Sequence, residues 1–485
     1  MYFNFNKAIV WLWIGRACAL QSSSEHEDPW MEACQSQNPH LEIITRDVAI
    51  IGGGSTGTFA AIKLRDENRT VSVIEQKGRL GGHTETYTDP TTGTPIDYGV
   101  VVLHDLDIVH EYFNRLSVPL SKVPLSSGGL TDYFDFTTGT RSNYTPPDPS
   151  SALEAYTAQL AKYPYLEEGF DLPENIPEDL LLPFGTFTRK YNLDNVVMTA
   201  YQIAQGYGDF LQLPTIYVMK AFGLSLIQEI PTGLLASLRG NNSEIYGRAQ
   251  AELGSDVHLH STVLSTSRDH LSRTGHSARI LIQTPTGRKL IKAKQLLITI
   301  PPTLANLQPF DLDAREHALF SQFRYSSYYT GILNQTGLPA NVSIANADTD
   351  RPFALPALPA AYGFAATRVP GLTDLKYGST SNLSADAVKT NTLATLRRLR
   401  DGGDLDFEIP SDAQPSFVAF SGHTPFAMRV EAEAIRAGFY RELGALQGRR
   451  NVWWTGAAWH THDSGLLWRF TAKVVDRLVE ALESA

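Results

Sequence analysis

The sequence predicts an α/β fold in which a parallel-sheet domain, assembled from three separate stretches of chain, carries an inserted two-part α+β lobe. Three observations predict it. A short β-branched run at 46–51 (RDVAII) leads through a glycine turn into a helix and a second run at 71–75 (VSVIE), the pattern of a β-α-β unit. From about 120 to 245 the text changes to helix-like patches punctuated by Pro124, Pro146, Pro147, Pro149, Pro173 and Pro177, and strand-like runs return at 257–266, 278–283 and 295–300. The end repeats the opening: NVWWT (451–455) stops at Gly456, and an amphipathic helix follows with Leu467, Phe470, Val474, Leu478 and Leu482 on one face. The sheet domain is therefore expected at 46–118, 245–308 and 430–485, with the lobe at 119–244 and 309–429.

Length and composition agree with two lobes. At 485 residues the chain exceeds the size at which one core keeps growing. Its 42% hydrophobic content is globular, and its net charge of −10 argues against nucleic acid or an anionic membrane as partner. The expected partner is a small molecule; no feature sets an oligomeric state. The first residues resemble a secretory signal, with Lys7, the apolar stretch 8–15 (AIVWLWIG) and the small-x-small pattern Ala17-Cys18-Ala19. Cleavage is expected after residue 19, leaving a polar leader at 20–45 and no membrane span in the mature chain. Six sequons, at Asn68, Asn143, Asn241, Asn334, Asn341 and Asn382, fit a secreted protein. Of the two cysteines, Cys18 would leave with the signal and Cys34 has no partner, so disulfides do not hold the fold.

The first β-α-β unit carries the clearest chemistry. Gly52-Gly53-Gly54-Ser55-Thr56-Gly57 is a G-x-G-x-x-G between strand and helix. Gly52 permits the tight turn, Gly54 lets a pyrophosphate approach the backbone, and Gly57 lets helix and strand pack closely. Ser55 and Thr56 open the helix whose N–H groups face that diphosphate. Glu75, with Gln76 after it, ends the second strand where a carboxylate can accept bonds from ribose hydroxyls. The domain is thus dinucleotide-binding and Rossmann-like.

Immediately after lies Gly78-Arg79-Leu80-Gly81-Gly82-His83-Thr84, and here the sequence resembles the FAD-dependent amine-oxidase-like superfamily. The resemblance implies non-covalent FAD, with Arg79, Gly81, Gly82 and His83 covering the diphosphate and flavin edge. The family often has arginine where this chain has His83. Asp97-Tyr98-Gly99-Val100 is similar to the next family element, which implies Gly99 beside the flavin. The stretch 257–263 (VHLHSTV) resembles the strand whose last residue, here Val263, holds the adenine through its backbone. LLITIP (296–301) resembles the crossover strand, and Trp454-Thr455-Gly456 the C-terminal flavin motif, with Ala457 where the family often has Glu. Within the superfamily the chain is similar to the fungal β-cyclopiazonate dehydrogenase-like group. It is also similar to the bacterial polyunsaturated fatty acid isomerase around 182–184, 207–208, 214–220 and 447–451.

This resemblance implies hydride transfer from a C–H of a largely apolar substrate to flavin N5, giving dehydrogenation or cyclisation. Double-bond isomerisation without net redox change is the alternative. A third reading, a flavin-free lipid- or prenyl-protein-binding relative such as the Rab dissociation inhibitors, is opposed by the intact glycine and Glu75 set. A nicotinamide dehydrogenase is opposed by the RLGGH and TGA motifs. Tyr201, Tyr207, His423 and His460 are the catalytic candidates, with Tyr328 on the substrate side, though each is a packing residue by type. The stretch 325–333 (YSSYYTGIL), where many amine oxidases carry a lysine, has none. His258 and His260 are read as structural histidines on one strand face, and no metal is expected.

Overall fold

The computed structural model describes residues 41–124, 130–268, 277–339, 341–402 and 413–484. The signal, nearly all of the leader and both cysteines lie outside the described residues. The opening unit consists of β1 (Glu42–Ile51), α1 (Ser55–Asp66) and β2 (Val71–Ile74). The same sheet contains β3 (Val257–His258), β4 (Thr262–Ser267), β5 (Ala278–Thr284), β6 (Gly287–Ile298) and β7 (Val452–Trp454). Its spatial order is β4-β5-β6-β1-β2-β3, and β7 pairs with β6 along Leu296–Ile298, beyond the point where β5 ends. Strands β3, β2, β1, β6 and β7 run parallel. Val48 to Ile51 are buried by neighbours on both sides, so they read as a continuous apolar run without alternation.

Two strand expectations change. β1 starts at Glu42 rather than Arg46, because the long β6 extends the ladder back to Lys289. That extension is largely exposed, so it carries no hydrophobic signal. The run 257–266 is two strands broken by a turn in which His260 adopts φ 50°. His258 and His260 therefore share no strand face: His258 bonds the Ser72 hydroxyl at 2.9 Å through Nε2, whereas His260 follows in the turn.

The C-terminal helix α2 (Ser464–Glu483) returns to this domain and packs on α1. Trp468 lies between Phe59 (ring centroids 6.0 Å) and Tyr112 (4.9 Å). The Asp463 side chain accepts from the Leu466 N–H at 2.8 Å and caps the helix, a bond of about 1 kcal/mol.

The inserted lobe has a helical layer and a sheet. Short helices start directly after Pro149, Pro177, Pro183 and Pro214. Proline has no N–H to leave unpaired at a helix start, which explains why proline-punctuated text folds as helix. The second sheet is seven-stranded, with Ser416–Arg429 at one edge beside Arg324–Asn334 and then Leu372–Ser379. Leu130–Asp135 pairs in parallel with Val342–Asn346 and so joins the first insert to the second. No helix among the described residues is long and apolar enough to cross a membrane.

Candidate functional site

A cavity of about 1160 Å³ runs from the glycine turn after β1 to the face of the second sheet. That exceeds the usual small-molecule pocket and leaves room for a dinucleotide and a second molecule. Three glycines of the turn do different work. Gly52 sits at φ +100°, and a Cβ there would meet Thr299 Oγ1 at 2.7 Å. A Cβ on Gly57 would lie 1.9 Å from Gly52 O, so its absence serves helix–strand packing. A Cβ on Gly54 would meet only the Gly82 Cα at 3.8 Å, and Gly54 borders the cavity. The protein itself has space for a side chain there, so the bare backbone serves whatever enters the cavity. Helix α1 starts at this point with no capping side chain and no acid in its first turn, which leaves its positive end for an anion. A dinucleotide diphosphate fits this cradle.

Glu75 is buried at the cavity wall. Its Oε2 accepts from Gly53 N and its Oε1 from Lys77 N, both at 2.7 Å. Each carboxylate oxygen can accept a further bond, the requirement for holding a ribose hydroxyl. Of the other residues read from the sequence, Ser55, Thr56, Gln76, Gly81, Gly82 and His83 border the cavity, as do Gly99, Val263 and Gly456. Arg79 does not. Its guanidinium pairs with Glu85 and donates to Leu80 O at 2.9 Å and to Gly82 O at 3.3 Å. Lys77 does border the cavity, bonded to Gly82 O at 2.9 Å and to Glu85 at 3.1 Å.

At the far end, Tyr207, Tyr328 and His423 border the cavity, but Tyr201 and His460 do not. Tyr201 packs against Phe210 and Tyr362. His460 bonds Glu167 O at 3.0 Å beside Lys220 in a small separate void. The Lys220 ammonium donates to Leu166 O and Gly169 O at 2.7 and 2.8 Å, and burial lowers its pKa to about 7.

Histidines from three distant segments meet here. His83 and His423 stack with ring centroids 4.3 Å apart and planes within 11°. His462, nearly parallel at 6.0 Å, stacks in turn on Phe426 at 3.8 Å. Burial, then the nearby Lys77 charge, lowers His83 to about 4; burial, then His83, lowers His462 to about 3. His423 falls well below its ordinary value, through burial and then His83.

Sequence reading missed several groups on the cavity wall, among them Lys77, His104, Lys220, Lys376 and Asp463. Lys376 stands on Leu372–Ser379, the strand beside the one searched for a lysine, and donates to Tyr98 O at 2.6 Å and Asp374 at 2.9 Å. A solitary lysine on a strand gives no signal until the neighbouring register is known. Among the described residues no group of three or more His, Cys, Asp or Glu is arranged to hold a metal ion.

The sequence pattern of the family described as flavin containing amine oxidoreductase matches residues 56–462. The FAD-dependent oxidoreductase oblC of Cochliobolus heterostrophus is 38% identical over 479 residues, covering 96% of this chain and 98% of that protein. The β-cyclopiazonate dehydrogenase of Aspergillus oryzae is 36% identical over 444 residues, covering 91% and 94%. Among solved structures, the CLA-producing fatty acid isomerase from P. acnes superposes with a TM-score of 0.70 at 18% identity, covering 89% of this chain and 98% of that one. That likeness shows a shared fold.

Proposed function

The chain belongs to the flavin containing amine oxidoreductase family and is an FAD-dependent oxidoreductase, and from that premise we propose that it dehydrogenates a small, largely apolar metabolite at a C–H bond. When bound, the flavin would supply a hydride acceptor at N5. Gly54, the start of α1 and Glu75 hold the dinucleotide, with Lys77 at the wall. Tyr207, Tyr328 and Phe426 wall the other end of the cavity, exclude water and orient the substrate. The observation that carries this reading is the single cavity joining the nucleotide cradle to that aromatic end. The flavin-free reading is dropped, since the cradle fits the cofactor that the relatives' names specify.

Double-bond isomerisation is the second reading, favoured by the shared fold of the fatty acid isomerase. Anaerobic mixing of the holoprotein with a turned-over substrate separates the two. Lasting bleaching of the flavin band is expected for dehydrogenation, whereas turnover without lasting bleaching assigns isomerisation. Rapid peroxide release on simple primary amines would overturn both.

The same proposal includes passage through the secretory pathway, supported by the signal-like pattern at Lys7, 8–15 and Ala17-Cys18-Ala19.

A further inference from the structure

The column of His83, His423, His462 and Phe426 is assembled from the glycine loop after β2, the edge strand Ser416–Arg429 and the loop before α2. One protonation state follows from hydrogen bonding alone. The Ala427 N–H donates to His462 Nε2 at 2.9 Å. A backbone N–H can only donate, so that nitrogen carries a lone pair and His462 is neutral. His423 stands against His83, and the ammonium groups of Lys77 and Lys376 disfavour a further cation there. Its Nε2 is sealed among protein atoms, so Nδ1 is the ring nitrogen left to the cavity that the ring borders. A ring nitrogen at a cavity wall without a protein partner is free to bond a ligand group.

The charge around this end selects against one class of guest. Among the described residues, Glu75 and Asp463 are the carboxylates that border the cavity. Glu75 is engaged by Gly53 and Lys77, and Asp463 by the Leu466 N–H and His104. Among the described residues, the end formed by His423, Tyr328 and Tyr207 has no carboxylate on the cavity wall, and the half-buried Asp374 behind it is already paired with Lys376 at 2.9 Å. An alkylammonium entering there would shed its water and meet no carboxylate free of a cationic partner.

We propose that His423 is the substrate-orienting hydrogen bond of this cavity, and that it selects an apolar molecule bearing an uncharged carbonyl or hydroxyl oxygen and excludes an alkylammonium. The neutral ring offers one N–H and one lone pair, so it serves either a carbonyl or a hydroxyl. Stacking on His83 holds the ring plane, and His462 with Phe426 completes the column beneath it. This inference rests on the cavity being the substrate site proposed above.

The test uses FAD-loaded protein without turnover and follows the visible band of the bound flavin during titration with naphthalene, 2-naphthol and 2-naphthylmethylamine. Wild type is expected to bind 2-naphthol at least about tenfold tighter than the ammonium probe. His423→Phe should lower 2-naphthol affinity by about tenfold, the worth of one hydrogen bond, and leave naphthalene unchanged. His423→Gln, which keeps an N–H and an acceptor, should recover most of the loss. Flavin content and thermal unfolding of each variant establish that it is folded and loaded. Equal 2-naphthol affinity in His423→Phe, or ammonium binding as tight as 2-naphthol in wild type, overturns the inference and leaves the proposed function standing. Failure of all three probes, naphthalene included, to perturb the flavin of wild type overturns the cavity assignment and both readings with it.

Discussion

His104 Nδ1 lies 2.7 Å from Glu229 Oε2, and its Nε2 lies 3.6 Å from Asp463 Oδ2, so one buried imidazole bridges the inserted lobe and the cap of helix α2. Glu229 also accepts from the Asp105 N–H at 3.0 Å. Burial opposes the charge on His104, but Asp463 and Glu229 outweigh it and raise the pKa to about 9. The imidazolium is the form present at neutral pH. Its consequence is positional: Asp463 sets the start of α2, whose first residues border the cavity.

His104→Gln should destabilise the protein by roughly 3–5 kcal/mol, because it leaves Glu229 buried against a neutral partner. The pH dependence has a definite sign. A group raised from 6.5 to about 9 contributes fully below pH 6.5 and loses that contribution as pH rises toward 9. Urea unfolding of wild type and variant should therefore differ most below pH 6.5 and converge above about 9. A gap that widens with pH would contradict the bridge.

Gly54→Ala should leave a folded protein with little or no FAD. The added Cβ meets only Gly82 Cα at 3.8 Å, and Gly54 has φ −70°, which alanine adopts freely. The cofactor's diphosphate then loses its close approach, and affinity should fall more than about tenfold. Retention of wild-type flavin content counts against the cradle. Gly57→Ala is the contrasting variant: its Cβ falls 1.9 Å from Gly52 O, so unfolding or insolubility is expected there.

Glu75→Gln should weaken FAD by ~1.5–3 kcal/mol, or roughly 10- to 150-fold, through its charge-assisted bonds. Fluorescence titration of stripped protein with FAD measures it, and unchanged affinity removes Glu75 from the ribose contact. In wild type, acid precipitation should release all of the yellow colour, as expected for FAD held without a covalent bond.

If the chain passes through the secretory pathway, N-glycans should appear on Asn68, Asn143, Asn341 and Asn382, whose side chains are exposed. Asn241 should stay bare, because its Oδ1 is buried and Asn242 beside it is packed inside. Glycopeptide mapping and N-terminal sequencing check this, with a mature start near Leu20. An intact Met1 and no glycosidase-sensitive mass would refute it.

The sequence by itself determined the nucleotide cradle and the family, because the physics of that site is local. Gly52, Gly54, Gly57 and Glu75 lie within one β-α-β unit, where a turn, a helix start and a strand end are fixed by residues a few positions apart. The apolar stripe of α2 was legible for the same reason. Tertiary structure alone decided what faces the cavity. His83, His423 and His462 become a column only when the glycine loop, an edge strand and the last loop converge, and His104 finds Glu229 and Asp463 across a domain boundary. Lys376 reaches the wall from the strand next to Arg324–Asn334, and Lys77 rather than Arg79 borders the cavity although both pair with Glu85. Those outcomes depend on strand register and on competition between charges brought together from distant segments, which no local spacing encodes.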